Sequence, residues 1–259
     1  MSKLKAKWGN FSKRLTQRWS RIEQLPWGVL LILISLSIAS TAWSLSRTGN
    51  WEAAALHFGS DMGGAAVIYI LLDIVLVTRQ KKENLIVQMG SPYRDVAVPA
   101  VDELKRMGWL FDGSLKGTRL NQANLERAGL IGAELQDARL LRTNLYGAYL
   151  MGANLTGAWL VFANLEEANL TGASLKTANL HGANLTSANL QEANLTGANL
   201  KGANLSKANL HQACVSRVDL SGANLTGALL YKTTFNSDTK WPNDFDPIAA
   251  EAILVEQEK

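Results

Sequence analysis

The sequence predicts an all-β solenoid of five-residue units preceded by an α-helical membrane hairpin. Three observations predict it. Leucine recurs at almost every fifth position from Leu115 onward, two long apolar runs lie near the N-terminus, the first without a charge and the second with Asp73 alone, and lysine and arginine crowd the outer flanks of those runs.

The chain has 259 residues, of which 47% are hydrophobic and 19% charged, a composition that buries a core rather than remaining disordered. Its one cysteine, Cys214, has no partner for an internal disulfide, so a reducing compartment suits it. The formal charge of +4 is unevenly distributed. Residues 1–27 hold seven lysines and arginines against Glu23 alone, and the rest of the chain is slightly acidic.

In that first segment Leu4, Trp8, Phe11, Leu15, Trp19 and Ile22 recur at steps of three or four among the basic residues. This is the pattern of a helix lying on an anionic membrane surface, with Trp8, Phe11 and Trp19 as its apolar anchors. The alternative is a solvated basic tail.

Two transmembrane helices are expected within 28–78, at about 28–45 and 62–78. Each run approaches the ~17–25 residues that cross the hydrocarbon core. The first could also be read as a signal-peptide core. Basic residues lie before the first run and again at Arg79, Lys81 and Lys82, so the positive-inside rule places the N-terminus and everything after residue 79 in the cytoplasm. Asp73 interrupts the second run, either as a functional ionisable group or, as we prefer, as a residue reaching the interface.

Residues 79–112 read as a helical linker and N-terminal cap. Ser91-Pro92 is a helix start signal, Val96, Val101, Leu104 and Met107 form the covering face, and Pro99 is expected to kink or shorten the helix. Residues 236–259 read as a C-terminal cap, in which Asp246-Pro247 starts a short helix to about Val255. A solenoid needs both caps, because its end units expose core and unpaired strand edges.

Between the caps, residues 113–235 keep one register: every fifth residue from Leu115 is leucine except Val215 and Phe235. Alanine usually stands two positions earlier and asparagine often one earlier, as in Ala153-Asn154-Leu155. A period of five matches neither a helix nor a continuous strand, so each unit is an extended piece followed by a corner. Alanine and leucine, two apart on the extended piece, point to the same side and fill the interior, with Leu155, Leu180 and Leu200 as core examples.

This A-N-L-x-x series resembles the pentapeptide-repeat family throughout residues 113–235. The resemblance implies a right-handed quadrilateral β-helix with four units per coil. It also implies that residues twenty apart stack, so that Asn124, Asn144, Asn164, Asn184, Asn204 and Asn224 form a ladder. The stretches at Gly108-Trp109-Leu110 and Trp241-Pro242 resemble flanks in bacterial, notably cyanobacterial, members. A bacterial inner or thylakoid membrane is therefore the expected location, with the repeat domain in the cytoplasm.

No catalytic constellation, cofactor motif or metal-ligand spacing is legible: His57, His181 and His211 are scattered, and Cys214 reads as an inert thiol in an outward slot. The family resemblance also implies a possible role as a DNA mimic that binds type II topoisomerases. A mimic needs an acidic rod, but Asp112 to Phe235 holds eight acids against ten lysines and arginines. Direct nucleic-acid binding is equally disfavoured by so sparse a distribution of basic residues. The expected function is a membrane-anchored scaffold without catalysis, whose partners are membrane lipids, an unidentified protein and, as a further option, a second copy of the chain. The alternatives are the mimic and an accessory subunit of a transport or assembly complex.

The expected interaction patch comes from breaks in the outward pattern: Arg139, Leu141, Arg142, Tyr146, Tyr149, Met151, Trp159, Val161 and Phe162. Exposed apolar clusters containing Trp, Tyr and Arg mark binding surfaces. Two other readings stay open: a terminal segment folding over the patch, and a face turned to lipid.

Overall fold

The computed structural model describes residues 71, 72 and 74–255. The basic segment with Trp8, Phe11 and Trp19, the first expected span, most of the second, and Asp73 lie outside the described residues. Among the described residues no helix is long and apolar enough to cross a membrane. The chain divides into two compact units, Met1–Lys81 and Lys82–Lys259. In the first, the described residues are all helical, and Ile74, Leu76 and Val77 are exposed.

The second unit is the solenoid with its caps. The repeats pair by single parallel bridges to the residue twenty positions on, as in Arg119 to Arg139 to Trp159 to Asn179 and in Asn124 to Asn144 to Asn164, until the last bridge, Asp219 to Lys240, spans twenty-one. The backbone bonds explain why five residues suffice. Leu155 N–H donates across the coil to the Ser174 carbonyl at 2.7 Å, and Asn154 N–H donates the opposite way to Ala133 at 2.9 Å. The corner closes when Ala158 N–H donates to the Leu155 carbonyl at 3.0 Å. The second residue of each corner is left-handed, whether glycine or not.

The interior is as the spacing predicts: Leu155, Leu180 and Leu200 are fully buried, and so are the alanines between them. Burying one leucine completely contributes about 1.5–3 kcal/mol, repeated up the rod. Thr143 and Thr233 replace alanine in this dry interior. Their hydroxyls donate to the Leu120 and Leu210 carbonyls, each at 2.7 Å, so neither polar atom is left unpaired.

The asparagine ladder forms. Asn144 donates its side-chain amide to Asn124, Asn164 to Asn144, and Asn184 to Asn164, at 3.1–3.2 Å. Asn204 breaks the run by donating to the Thr186 hydroxyl, and Asn224 resumes it on Asn204. Each amide oxygen also accepts from the backbone N–H two residues on, as with Tyr146 on Asn144. Asparagine therefore holds both the neighbouring coil and its own corner.

The N-terminal cap departs from expectation in its helix start and its covering face. Its helix, α1, spans Arg94–Arg106 with Tyr93 at the N-cap position, so Ser91 is not the cap. The Ser91 hydroxyl instead accepts from Tyr93 N–H, while the Ser91 carbonyl accepts from Asn124 N–H on the open first coil at 2.8 Å. With the helix phase set from Arg94, the covering face is Ala97, Ala100, Val101 and Leu104; Val96 is exposed and Met107 partly buried. Pro99 neither stops nor shortens α1, which runs seven residues past it; the carbonyl deprived of a donor belongs to Asp95, an exposed residue. Leu110 supplies a second edge contact, its carbonyl accepting from Glu134 N–H at 2.8 Å.

At the other end the expected short helix is replaced by a turn and a strand. Asp246 does cap, accepting from the Ile248 and Ala249 N–H groups at 2.9 and 3.1 Å. The turn then ends at Glu251, whose φ of 62° is left-handed, and Ile253–Leu254 (β2) pairs in parallel with Thr234–Phe235 (β1). The unpaired edge of the last coil draws this segment into a strand, where its own local signals favoured a helix. Trp241 lies between Phe235 and Phe245, with ring centroids 5.4 and 5.2 Å away.

Candidate interaction surface

The twenty-residue coil sorts the nine expected patch residues into separate faces. Arg139 and Trp159 are bridge partners on one strand column. Arg142 N–H donates to the Val161 carbonyl at 3.0 Å, which stacks Leu141 and Arg142 beside Val161 and Phe162 at the adjoining corner. Those six residues form one surface. Trp159 and Phe162 are 59% and 50% exposed, and Leu141 is 39% exposed.

The other three lie elsewhere. Tyr146 occupies the next corner, where its hydroxyl donates to the Glu167 carboxylate at 2.7 Å and Arg127 lies over its ring. That hydrogen bond raises the Tyr146 phenol above its ordinary pKa. Tyr149 belongs to the column Gly129, Tyr149, Asn169, half a coil from Trp159 and so on the opposite face. Met151 flanks that opposite face, beside the exposed Ile131.

Three residues that the repeat pattern did not single out join the surface. Arg119 lies below Arg139 in the Trp159 column. His181 meets the Phe162 ring edge to face, with centroids 5.5 Å apart. Gly182 lies under that ring: a Cβ there would overlap Phe162 Cε1 and Cδ1. The Arg142 guanidinium lies 6.0 Å from the Phe162 centroid on the other side. Arg142, Phe162 and His181 thus climb the corner in contact, one residue per coil. His181 belongs to the neighbouring column of Leu141 and Val161, one residue before that of Arg142, Phe162 and Gly182; this stacking was the only sequence signal for it, and it reads as an ordinary turn position.

Phe162 has a φ of 55° and Arg142 a φ of 53°. Left-handed backbone is costly for residues with a bulky Cβ substituent. The other non-glycine residues in this corner slot are Gln, Arg, Asp, Thr, Ser, Glu and Lys, so among the described residues Phe162 is the only apolar side chain held there. The surface is also electrostatically one-sided. Among the described residues Arg119, Arg139 and Arg142 have no carboxylate within ion-pair distance, whereas Lys82 pairs with Asp112, Arg106 with Glu103 and Arg217 with Asp238.

Away from this surface, Cys214 is half-buried in the Asn194, Cys214, Thr234 column. Burial pushes its thiol up, but hydrogen bonds from Thr196 and Ser216 outweigh it and bring the thiol below its ordinary pKa. No group of three or more His, Cys, Asp or Glu is gathered for a metal among the described residues.

A family model described as pentapeptide repeats matches the chain in eight copies, over residues 114–147, 148–186 and 183–222. Among solved structures, the chain is 35% identical to HetL, a pentapeptide repeat protein involved in heterocyst differentiation regulation from the cyanobacterium Nostoc sp. strain PCC 7120. That match covers 48% of this chain and 66% of HetL, with a TM-score of 0.28. It is 31% identical to the pentapeptide repeat protein Rfr23 from the cyanobacterium Cyanothece 51142, over 54% of this chain and 97% of that one, with a TM-score of 0.36. It is 17% identical to QnrB1, a plasmid-mediated fluoroquinolone resistance protein, over 55% of this chain and 84% of that one, with a TM-score of 0.33. No curated protein matches the chain.

Proposed function

The chain belongs to the pentapeptide-repeat family, and from that premise we propose that it is a membrane-tethered, non-catalytic module whose repeat rod docks another protein in the cytoplasm. The observation that carries this reading is the surface made by Arg139, Leu141, Arg142, Trp159, Val161 and Phe162: an aromatic and arginine cluster of the composition found in binding hot spots, on a rod whose interior is filled. Catalysis needs titratable groups converging on a cavity, and the outward histidines, His181 and His211, lie at separate corners. Tethering rests on the two apolar runs and their basic flanks. A topoisomerase-directed DNA mimic fits less well, because the repeat carries slightly more base than acid.

The test is capture from detergent-solubilised membranes by the full chain. Trp159→Ala with Phe162→Ala removes the captured protein while circular dichroism and membrane retention stay unchanged. Unaltered capture by the double variant eliminates this surface as the docking site. Protease added to sealed right-side-out vesicles leaves the repeat intact, and digestion there refutes the cytoplasmic topology.

A further inference from the structure

We infer that the docking surface receives an acidic protein segment carrying apolar side chains, its carboxylates meeting Arg119, Arg139 and Arg142 and its apolar groups covering Trp159 and Phe162; this rests on the docking role proposed above. Charge complementarity is the first argument. Arg119 and Arg139 are successive members of one column, and Arg142 stands at the adjoining corner one coil below Phe162. None of the three is neutralised by an ion pair among the described residues. The next residues up the same column are Trp159, Asn179 and Asn199, and an acid appears only at Asp219. Asp137 is exposed at the corner on the column's other flank, but against three arginines it leaves the surface net positive from its lower coils up to the aromatic pair, which favours carboxylates over amines.

Pre-organisation is the second argument. The Phe162 ring is held between the Arg142 guanidinium and the His181 ring, over the space that Gly182 leaves open. A fixed ring and a stacked guanidinium lose little freedom on binding, so they suit a partner that must itself become ordered. Phe162 keeps this pose at a left-handed backbone position that glycine would occupy without strain. A solvated corner does not explain an aromatic residue there. An anionic lipid surface shares the preference for arginine and tryptophan. It is less well matched, because Trp159, Phe162 and the three arginines lie along one strand column and its corner, a strip the width of a peptide, and the next large exposed ring, Tyr149, is half a coil away on the opposite face rather than continuous with them.

The experiment immobilises the full chain in neutral detergent and measures retention of three synthetic peptide arrays. One mixes Asp and Glu with Leu and Phe, one replaces the acids by Asn and Gln, and one replaces them by Lys. Residues 1–27 are themselves strongly basic, so only retention that changes on substitution within the rod is counted. The acidic array is retained, weakens with added salt, and loses at least about tenfold in affinity when Arg139→Gln and Arg142→Gln are combined, as for a partly desolvated charge pair. Equal retention of the neutral array, or indifference to the arginine pair, overturns the inference. So does transfer of the rod-dependent binding to phosphatidylglycerol vesicles with the acidic array ignored. Failure of the acidic partner is separable from failure of the docking role. If membrane capture is lost with Trp159→Ala and Phe162→Ala but unchanged with Arg139→Gln and Arg142→Gln, the docking role stands and the acidic partner does not.

Discussion

Residues 139–162 and 179–202 are stretches of the same rod whose interiors match but for Thr143, which stands where the second has Ala183, and whose exteriors differ. Leu140, Leu145, Leu150, Leu155 and Leu160 are as deeply buried in the first as Leu180, Leu185, Leu190, Leu195 and Leu200 are in the second. Outside, the first carries Arg139, Leu141, Arg142, Trp159, Val161 and Phe162, where the second carries Asn179, His181, Gly182, Asn199, Lys201 and Gly202. The comparison teaches that this fold assigns its two tasks to different positions in the five-residue unit. Leucine and alanine build the coil, asparagine and glycine are the least strained exterior, and departures from that exterior leave the coil intact.

The largest expected effect tests whether the interiors are equivalent. Leu160→Asp and Leu180→Asp should both abolish the β-sheet circular dichroism, each costing more than about 4 kcal/mol by placing an unpaired charge in a dry core. Thr171→Asp, at an outward corner where the Thr171 N–H and hydroxyl bond to Asn169, should cost less than about 1 kcal/mol. If Leu160→Asp folds while Leu180→Asp does not, the two stretches do not share one interior, and the contrast drawn here collapses.

A smaller effect sharpens the comparison at the corner. Phe162→Gly and Phe162→Ala both remove the ring, but only alanine keeps a Cβ on left-handed backbone. The glycine variant should be the more stable by about 1 kcal/mol, read from chemical denaturation, and both should lose partner capture. In the regular stretch the reverse change, Gly182→Ala, should cost about the same for its own left-handed φ of 64° and should also displace the Phe162 ring. Equal stability of the two Phe162 variants would remove backbone strain from the case for this surface.

The period of five made the coil, its interior and its stacking columns readable, because a constraint repeated every five residues leaves little freedom to the backbone. The same columns placed Arg139 beside Trp159 and Arg142 beside Phe162. They also show why nine residues do not make one patch. Tyr149 is close to Trp159 in sequence, but half a coil separates them. The ends were less legible, since no repeat constrains them. The segment 248–255 has helix-start chemistry at Asp246-Pro247, yet the open edge of Thr234–Phe235 takes Ile253–Leu254 as a strand. Ser91 likewise serves the first coil through its carbonyl, a backbone contact that no side-chain pattern announces.

The smallest expected effect lies in the N-terminal cap, where a charge pair instead of a repeated core makes the contact. Lys82 Nζ donates to Asp112 Oδ2 at 2.8 Å and lies 5.0 Å from the Trp109 ring centroid. Burial of Asp112 works to raise its pKa, but the hydrogen bonds from Lys82 and Ser114 prevail and hold the carboxyl below its ordinary range. A carboxyl depressed in the folded state stabilises it above the unfolded pKa, and that contribution disappears as pH falls through the folded value. Asp112→Asn should therefore lower stability near neutral pH by less than about 1 kcal/mol, the range for partly exposed ion pairs. The difference from the parent protein should begin to shrink below about pH 4, where the carboxyl of the unfolded chain protonates, and should vanish only as the pH falls through the lower folded value. Because the pair closes the cap and not the coils, the loss should appear first as faster amide exchange in residues 109–120, with exchange in residues 179–202 unchanged. A loss that persists undiminished at acid pH, or one shared evenly by both regions, would mean that Asp112 acts through its turn with Ser114 rather than through Lys82.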